Sequence, residues 1–302
     1  MKYTLTLAFL LALQCGFCSN QKNEKKNNPT KALIDSNNSL LWQISGNGLK
    51  QSSYLFGTIH IIPEEDYFLG KNVQKKMKQS SLLVMELDLS NVNIAAISEL
   101  SVLDSGKTIQ SYMSDSDFAT LQAFMFDTLG IDQQVFNLFY SRLNPFFLEQ
   151  LIFLNHVGPE KESYEINLKS IAENNKIPQS GLETMEEQLQ FLKDVPIEIQ
   201  LKNILNTIRN YSSETATLDT LVDAYKKQDL TYLNKAFEAE EDTSWKENLL
   251  DKRNKNWIPK IKDFITKQAC FIAVGAGHLG GENGLIALLR KEGYTVEPLP
   301  IN

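Results

Sequence analysis

Strand-like segments lie near both ends of this 302-residue chain, and the long stretch between them has helical spacing. A strand cannot remain single, because its backbone N–H and C=O groups need partners. The economical arrangement is one sheet built from both ends, with the helical middle packed on it. On the N-terminal side, Leu40 to Ser45 (LLWQIS), the Gly46-Asn47-Gly48 turn signal and Ser53 to Ile62 (SYLFGTIHII) predict a β-hairpin. Leu82 to Leu87 (LLVMEL) reads as a short buried strand, Ile177 to Leu182 as an extended piece, Cys270 to Val274 (CFIAV) as a second buried strand and Tyr294 to Leu299 as the last one. Helices are expected over Asn72 to Ser81, Ser163 to Asn175 and Leu285 to Glu292, and through most of about 92 to 266, with a break at Asn144-Pro145. Thr184 and Glu187 form a capping box that starts a helix. The predicted fold class is α/β (α+β): a sheet built from N- and C-terminal strands, with the helical insertion packed on it as a subdomain.

The first residues are not part of that fold. Lys2 precedes an uncharged run, Leu5 to Leu13 (LTLAFLLAL), and then Gln14-Cys15-Gly16. One basic residue, an apolar run too short to span a bilayer and a following polar stretch (Ser19 to Asn28, SNQKNEKKNN) predict a signal peptide over residues 1–18 and a flexible tether over 19–38. Cys15 resembles a bacterial lipoprotein processing site, although Gln14 stands where a small residue is usual, and Cys18 is the rival position. The expectation is export to the periplasm or cell envelope, with membrane contact only through an N-terminal lipid anchor. The remaining 39–302 would form the functional domain. A net charge of −7 gives no general attraction for nucleic acid, so no nucleic-acid partner is expected. With three Cys and three His in the whole chain, a thiolate cluster is excluded, and any metal site must lean on imidazole and carboxylate.

Two of the three histidines share a local pattern. Gly57-Thr58-Ile59-His60 ends one predicted strand and Gly275-Ala276-Gly277-His278 follows another. Chance would supply one Gly-x-x-His roughly 0.15 times in a chain of this composition. A glycine lets the backbone approach closely at a strand end, and neutral imidazole is the commonest metal ligand. The plainer reading is two core histidines bonded to carbonyls. His156 lacks this frame and reads as structural or exposed. Glu86 lies inside the apolar run Leu82 to Asp88, where an unpaired carboxylate is costly unless a metal or buried partner meets it. Glu183 sits just before a helix N-terminus, where the helix dipole alone could account for it. Arg253 and Asn254 lie on a charge-rich helix whose default reading is a solvated face. Gly275 to Gly280 also matches G-x-G-x-x-G, with Glu297 at dinucleotide-binding spacing, but the chain ends too soon afterwards for a second βα unit.

Taken in order, Leu41-Trp42-Gln43-Ile44, Tyr54 to His60, Val84 to Asp88, Gly181 to Thr184 with Glu187-Gln188, Arg253-Asn254 and Gly275 to His278 with Gly284-Leu285 resemble the TraB/GumN family, which also includes the Tiki membrane proteases. The resemblance runs from about Leu40 to Leu299. It implies a metal-dependent hydrolase of peptidase type acting on a peptide or protein. His60 and His278 would be metal ligands, Glu86 a ligand or the base that activates water, and Glu183 a further acidic contributor to the metal. Arg253 and Asn254 would bind substrate or stabilise charge. The cofactor implied is a divalent cation, Zn, Mn or Co. One departure stands out: similar proteins often carry Gly-x-Asp where this chain has Ser163-Tyr164-Glu165, which makes Glu165 the substitute. The rival function is an exported, non-catalytic lipoprotein that uses the same cleft to bind a ligand.

Overall fold

A computed structural model of the chain describes residues 38–88, 98–99, 101–104, 106–188, 195–238 and 247–302. Cys15, Cys18, the predicted signal peptide and nearly all of the predicted tether lie outside the described residues. The order begins with strands β1 (Leu41–Ser45), β2 (Ser53–Thr58) and β3 (Ile61–Pro63), helix α1 (Lys71–Gln79) and strand β4 (Leu82–Leu87). Helices α2 (Asp115–Asp127), α3 (Gln133–Leu138) and α4 (Pro145–Val157) follow, then β5 (Lys161–Ser163), α5 (Tyr164–Asn174) and β6 (Gln179–Glu183). The remainder is α6 (Ile197–Arg209), α7 (Tyr211–Lys226), α8 (Leu230–Glu238), α9 (Lys252–Lys267), β7 (Cys270–Gly275), α10 (Leu285–Lys291) and β8 (Thr295–Leu299). Among the described residues no helix is long and apolar enough to cross a membrane.

The main sheet has six strands in the order β6-β4-β7-β2-β1-β8. The hairpin forms as expected, with Leu41 opposite Phe56 and Ile44 opposite Ser53. Gly46, Asn47 and Gly48 all take positive φ in its turn, which asparagine and glycine accept at little strain. Strands β2, β7, β4 and β6 run parallel to one another. The three inner ones, β2, β4 and β7, are buried along their whole length, as strands covered on both faces must be. At the other edge β8 pairs antiparallel with β1, and it carries Pro298, which only an edge strand tolerates well. That antiparallel return also rules out the second parallel βα unit that a dinucleotide site needs.

The predicted strand Ser53 to Ile62 divides. β2 stops at Thr58, the chain turns through His60, and Ile61–Pro63 pairs instead with Lys161–Ser163 in a separate two-stranded ladder. The break expected at Asn144-Pro145 is a helix start. The Asn144 side chain caps α4 by accepting from Phe146 N–H at 3.1 Å, and Pro145 occupies the first turn, where its missing N–H has no consequence. The capping box of Thr184 and Glu187 forms reciprocally, with bonds of 3.0 and 3.1 Å. Among the described residues two hydrophobic cores result. One surrounds the sheet, and the other lies among the insertion's helices, with Phe118, Phe136, Ile204 and Leu205. Helix α4 joins them, giving Phe153 to the first and Leu148 and Ile152 to the second.

Candidate metal centre

In a parallel sheet, ligands gather beyond the carboxyl ends of the strands. Each of the four parallel strands here delivers a candidate residue at that edge: His60 just after β2, Glu86 as the penultimate residue of β4, Glu183 as the last of β6, and His278 just after β7. Helix α9 adds Arg253 and Asn254 from its first turn. Six residues spread over more than two hundred positions thereby share one buried site, in which His60, Glu86, Arg253, Asn254 and His278 are all buried. The solvated-face reading of Arg253 and Asn254 is corrected, since they are 7% and 1% exposed.

The Glu86 carboxylate sits between the two imidazoles. Its Oε1 lies 3.8 Å from His60 Nε2 and 3.7 Å from His278 Nε2. Oε1 also accepts from Gly275 N–H at 2.8 Å, and Oε2 accepts from Arg253 Nη2 at 2.5 Å and Gln188 Nε2 at 3.4 Å. Each ring is held from behind through Nδ1. His278 Nδ1 is 2.7 Å from Asn254 Oδ1, and the Asn254 amide donates to the carbonyls of His278 and Asn283 at 3.3 and 2.9 Å. Those two carbonyls orient the amide so that its oxygen faces the ring, which puts the ring proton on Nδ1 and the lone pair on Nε2. His60 Nδ1 meets Glu165 Oε1 at 2.8 Å, and Thr58 Oγ1 donates to the same oxygen at 2.7 Å.

The β3–β5 ladder explains how Glu165 arrives. Ile61 pairs with Ser163, Tyr164 N–H donates to His60 C=O at 3.0 Å, and Ser163 caps α5, which places Glu165 in that helix's first turn. To turn out of β2 into this ladder His60 adopts φ +54°, a left-handed conformation that is uncommon for a residue with a Cβ. His60→Gly should therefore be more stable than His60→Ala by about 1 kcal/mol in denaturant unfolding, since both lack the ring and only glycine enters this region freely. Equal stabilities would mean that the backbone is not strained there.

Electrostatically the two rings differ. Burial disfavours a charged His60, but Glu165 and Glu86 outweigh it and raise its pKa. Burial, then the Arg253 charge, then His60, hold His278 well below the usual range, so its ring is neutral. Glu165 is pushed up by burial but more strongly down by His60 and Thr58, and its net pKa is lowered.

Glu183 meets Arg253 and Trp257. Its carboxylate accepts from Arg253 Nε at 3.1 and 3.2 Å, from Nη2 at 2.5 Å and from Trp257 Nε1 at 3.1 Å. Trp257 is a site residue that the sequence pattern does not single out. It is wholly buried, its ring lies 4.4 Å from that of His278, and Arg253 Cζ stands 4.7 Å from its centroid. The available signal is its position four residues after Arg253, on the same face of a helix. His156, as expected, is apart from the site and meets Asp219 at the surface.

Among the described residues no three His, Cys, Asp or Glu side chains stand in ligating arrangement. The donor types nonetheless suit a divalent ion. Two donors bound to one ion at 2.0–2.2 Å stand roughly 3 to 3.5 Å apart, a little closer than the imidazole–carboxylate separations here. Two buried carboxylates, Glu86 and Glu183, share the buried Arg253 guanidinium, and a third, Glu165, meets His60.

The sequence profile of the TraB/PrgY/gumN family matches residues 40–298, which takes in every strand end that builds this site. The chain belongs to the TraB/PrgY/gumN family. Among curated relatives of this TraB/PrgY/gumN chain, the metalloprotease TIKI1 of Danio rerio is 23% identical over 316 residues, covering 87% of this chain and 63% of its own length. Human TIKI1 is 24% identical over 317 residues, with 87% and 62% covered, and TIKI2 of Xenopus tropicalis is 23% identical, with 87% and 60% covered. The chain thus spans less than two thirds of these relatives' length. No solved structure matches it.

Proposed function

We propose that this chain is an exported, metal-dependent hydrolase of peptide bonds in which His60, His278 and Glu86 hold a divalent cation, Zn, Mn or Co. The observation that carries this reading is the convergence of two imidazole Nε2 atoms on one carboxylate oxygen, at 3.8 and 3.7 Å, with Nδ1 of each ring already engaged. The relatives named metalloproteases support the reaction class.

A bound cation would lower the pKa of a coordinated water and polarise a scissile carbonyl. The protein's own part is positional. Asn254 Oδ1 keeps the proton of His278 on Nδ1, and Glu165 does the same for His60 while its negative charge makes that ring a stronger donor. Glu86 Oε1, between the rings, is placed to ligate or to take a proton from an attacking water. Glu183 serves the site through Arg253, whose guanidinium it grips. The substrate is a peptide or protein segment reaching the carboxyl edge of the parallel strands. Export follows from the apolar run after Lys2, and Cys15, with Cys18 as its rival, would carry a lipid that tethers the domain at the cell envelope.

Metal analysis by mass spectrometry of the purified protein, beside its His60→Ala/His278→Ala variant, tests the site. The expected result is stoichiometric metal in the parent and none in the variant, with chelator-sensitive cleavage of a peptide library by the parent alone. A parent that takes up no metal after incubation with Zn, Mn and Co would overturn the reading.

A further inference from the structure

The Arg253 guanidinium has five N–H groups, and the protein engages every one. Nε donates to Glu183, Nη2 to Glu183 and Glu86 at 2.5 Å each, and Nη1 to Leu249 C=O at 3.0 Å and to His278 Nε2 at 3.3 Å. Such a residue has no donor left for a substrate. It does touch two of the three groups assigned above to the metal. Because the Asn254 amide fixes the His278 proton on Nδ1, the Nε2 lone pair that accepts from Arg253 Nη1 is the same lone pair a metal would need.

We propose that Arg253 is the resident counter-cation of this pocket, and that a divalent cation enters by displacing the guanidinium from His278 and Glu86. The inference rests on the metal-site reading above. In a buried site a dication and a guanidinium on neighbouring atoms repel strongly, so the two compete for His278 Nε2 and for the charge of Glu86. The retreat is already built. Arg253 can release Nη1 from His278 and Nη2 from Glu86 while Nε and Nη2 stay on Glu183, with its guanidinium against the Trp257 ring. The chain immediately before it, Glu247–Asp251, is a π-helical turn, a feature that recurs where helices adjust at functional sites. Glu183 is thus a positioning residue for the arginine, and the metal-free pocket already holds one cation against Glu86 and Glu183.

Competition titration against a chromogenic chelator, using Zn, Mn and Co in turn on the full chain, tests this without reference to activity. Arg253→Gln should bind the preferred metal at least about tenfold more tightly than the parent, since a competing charge is gone. Its metal-induced rise in melting temperature should also be larger. Arg253→Lys, which keeps the charge on Glu183 but cannot span to His278 as well, should fall between the two and serves if the glutamine variant does not fold. The metal-loaded parent structure should show Nη1 beyond hydrogen-bonding distance of His278 Nε2 and Nε still on Glu183. Unchanged or weaker affinity in both variants, or a loaded site with Arg253 unmoved, overturns the displacement while leaving the metal site standing. No binding by any of the three proteins overturns both.

Discussion

Trp257→Ala is expected to destabilise the domain by about 3–5 kcal/mol, the usual range for deleting a fully buried large aromatic side chain. The side chain is 0% exposed and belongs to the core around the sheet. Its loss opens a cavity, leaves Glu183 without the indole N–H that donates at 3.1 Å, and removes the ring packed against both His278 and Arg253. At roughly 2–4 °C per kcal/mol for a domain of this size, the melting temperature should fall by about 6–20 °C. Trp257→Phe separates the contributions, because it keeps most of the packing and loses only the donor, and it should cost about 1–3 kcal/mol. A loss below about 1 kcal/mol for the alanine variant, measured by denaturant unfolding, would show that the ring does not support the site.

The second large effect concerns Gly57. Its N–H donates to Leu40 C=O at 2.8 Å and its C=O accepts from Tyr225 Oη at 3.0 Å, so the backbone is held from both sides. A Cβ at this position would stand 2.3 Å from Leu279 Cδ1 and 3.1 Å from Ala276 Cα. Leu279 can rotate only into other buried side chains, and Ala276 presents backbone, so the added methyl has no free space. Gly57→Ala should cost about 1–3 kcal/mol and Gly57→Val more, as overpacking does elsewhere. The strain falls on the turn Ala276–His278, so the alanine variant should also move His278 and weaken metal uptake. Wild-type stability together with unaltered metal content in Gly57→Ala would sink the argument. The glycine of the first Gly-x-x-His is thus a packing requirement of the second.

That contact shows why the paired motif is legible in the sequence. Both histidines must emerge at the same edge of adjacent parallel strands, with β2 and β7 aligned so that Thr58 faces Gly275. Two backbones this close need a small residue where they touch, and that local requirement is written into the residue types. Glu86 is legible for a similar reason, since a carboxylate inside an apolar strand must have a partner. Arg253 is not. A helix with Lys252, Lys255 and Lys260 around it looks solvated, and only its packing on β6 and α10 turns Arg253 and Asn254 inward. Glu165 is legible only as a departure from a family pattern. Its role depends on the β3–β5 ladder, and three-residue strands lie below what periodicity can resolve.

Hydrophobic pattern, turn residues and caps act over a few neighbouring positions. The hairpin, the buried runs at Leu82 and Cys270 and the Thr184 box can therefore be read directly from the order of residues, whereas Asn144-Pro145 reads as a break and only the structure shows it to be a helix start. Strand order cannot be read this way, because inserting β7 between β4 and β2 depends on contacts roughly two hundred residues apart in the chain. The same holds for the left-handed turn at His60 and for the guanidinium placed against His278. Each is unfavourable or unremarkable locally, and each persists because the packing of distant segments outweighs the local preference.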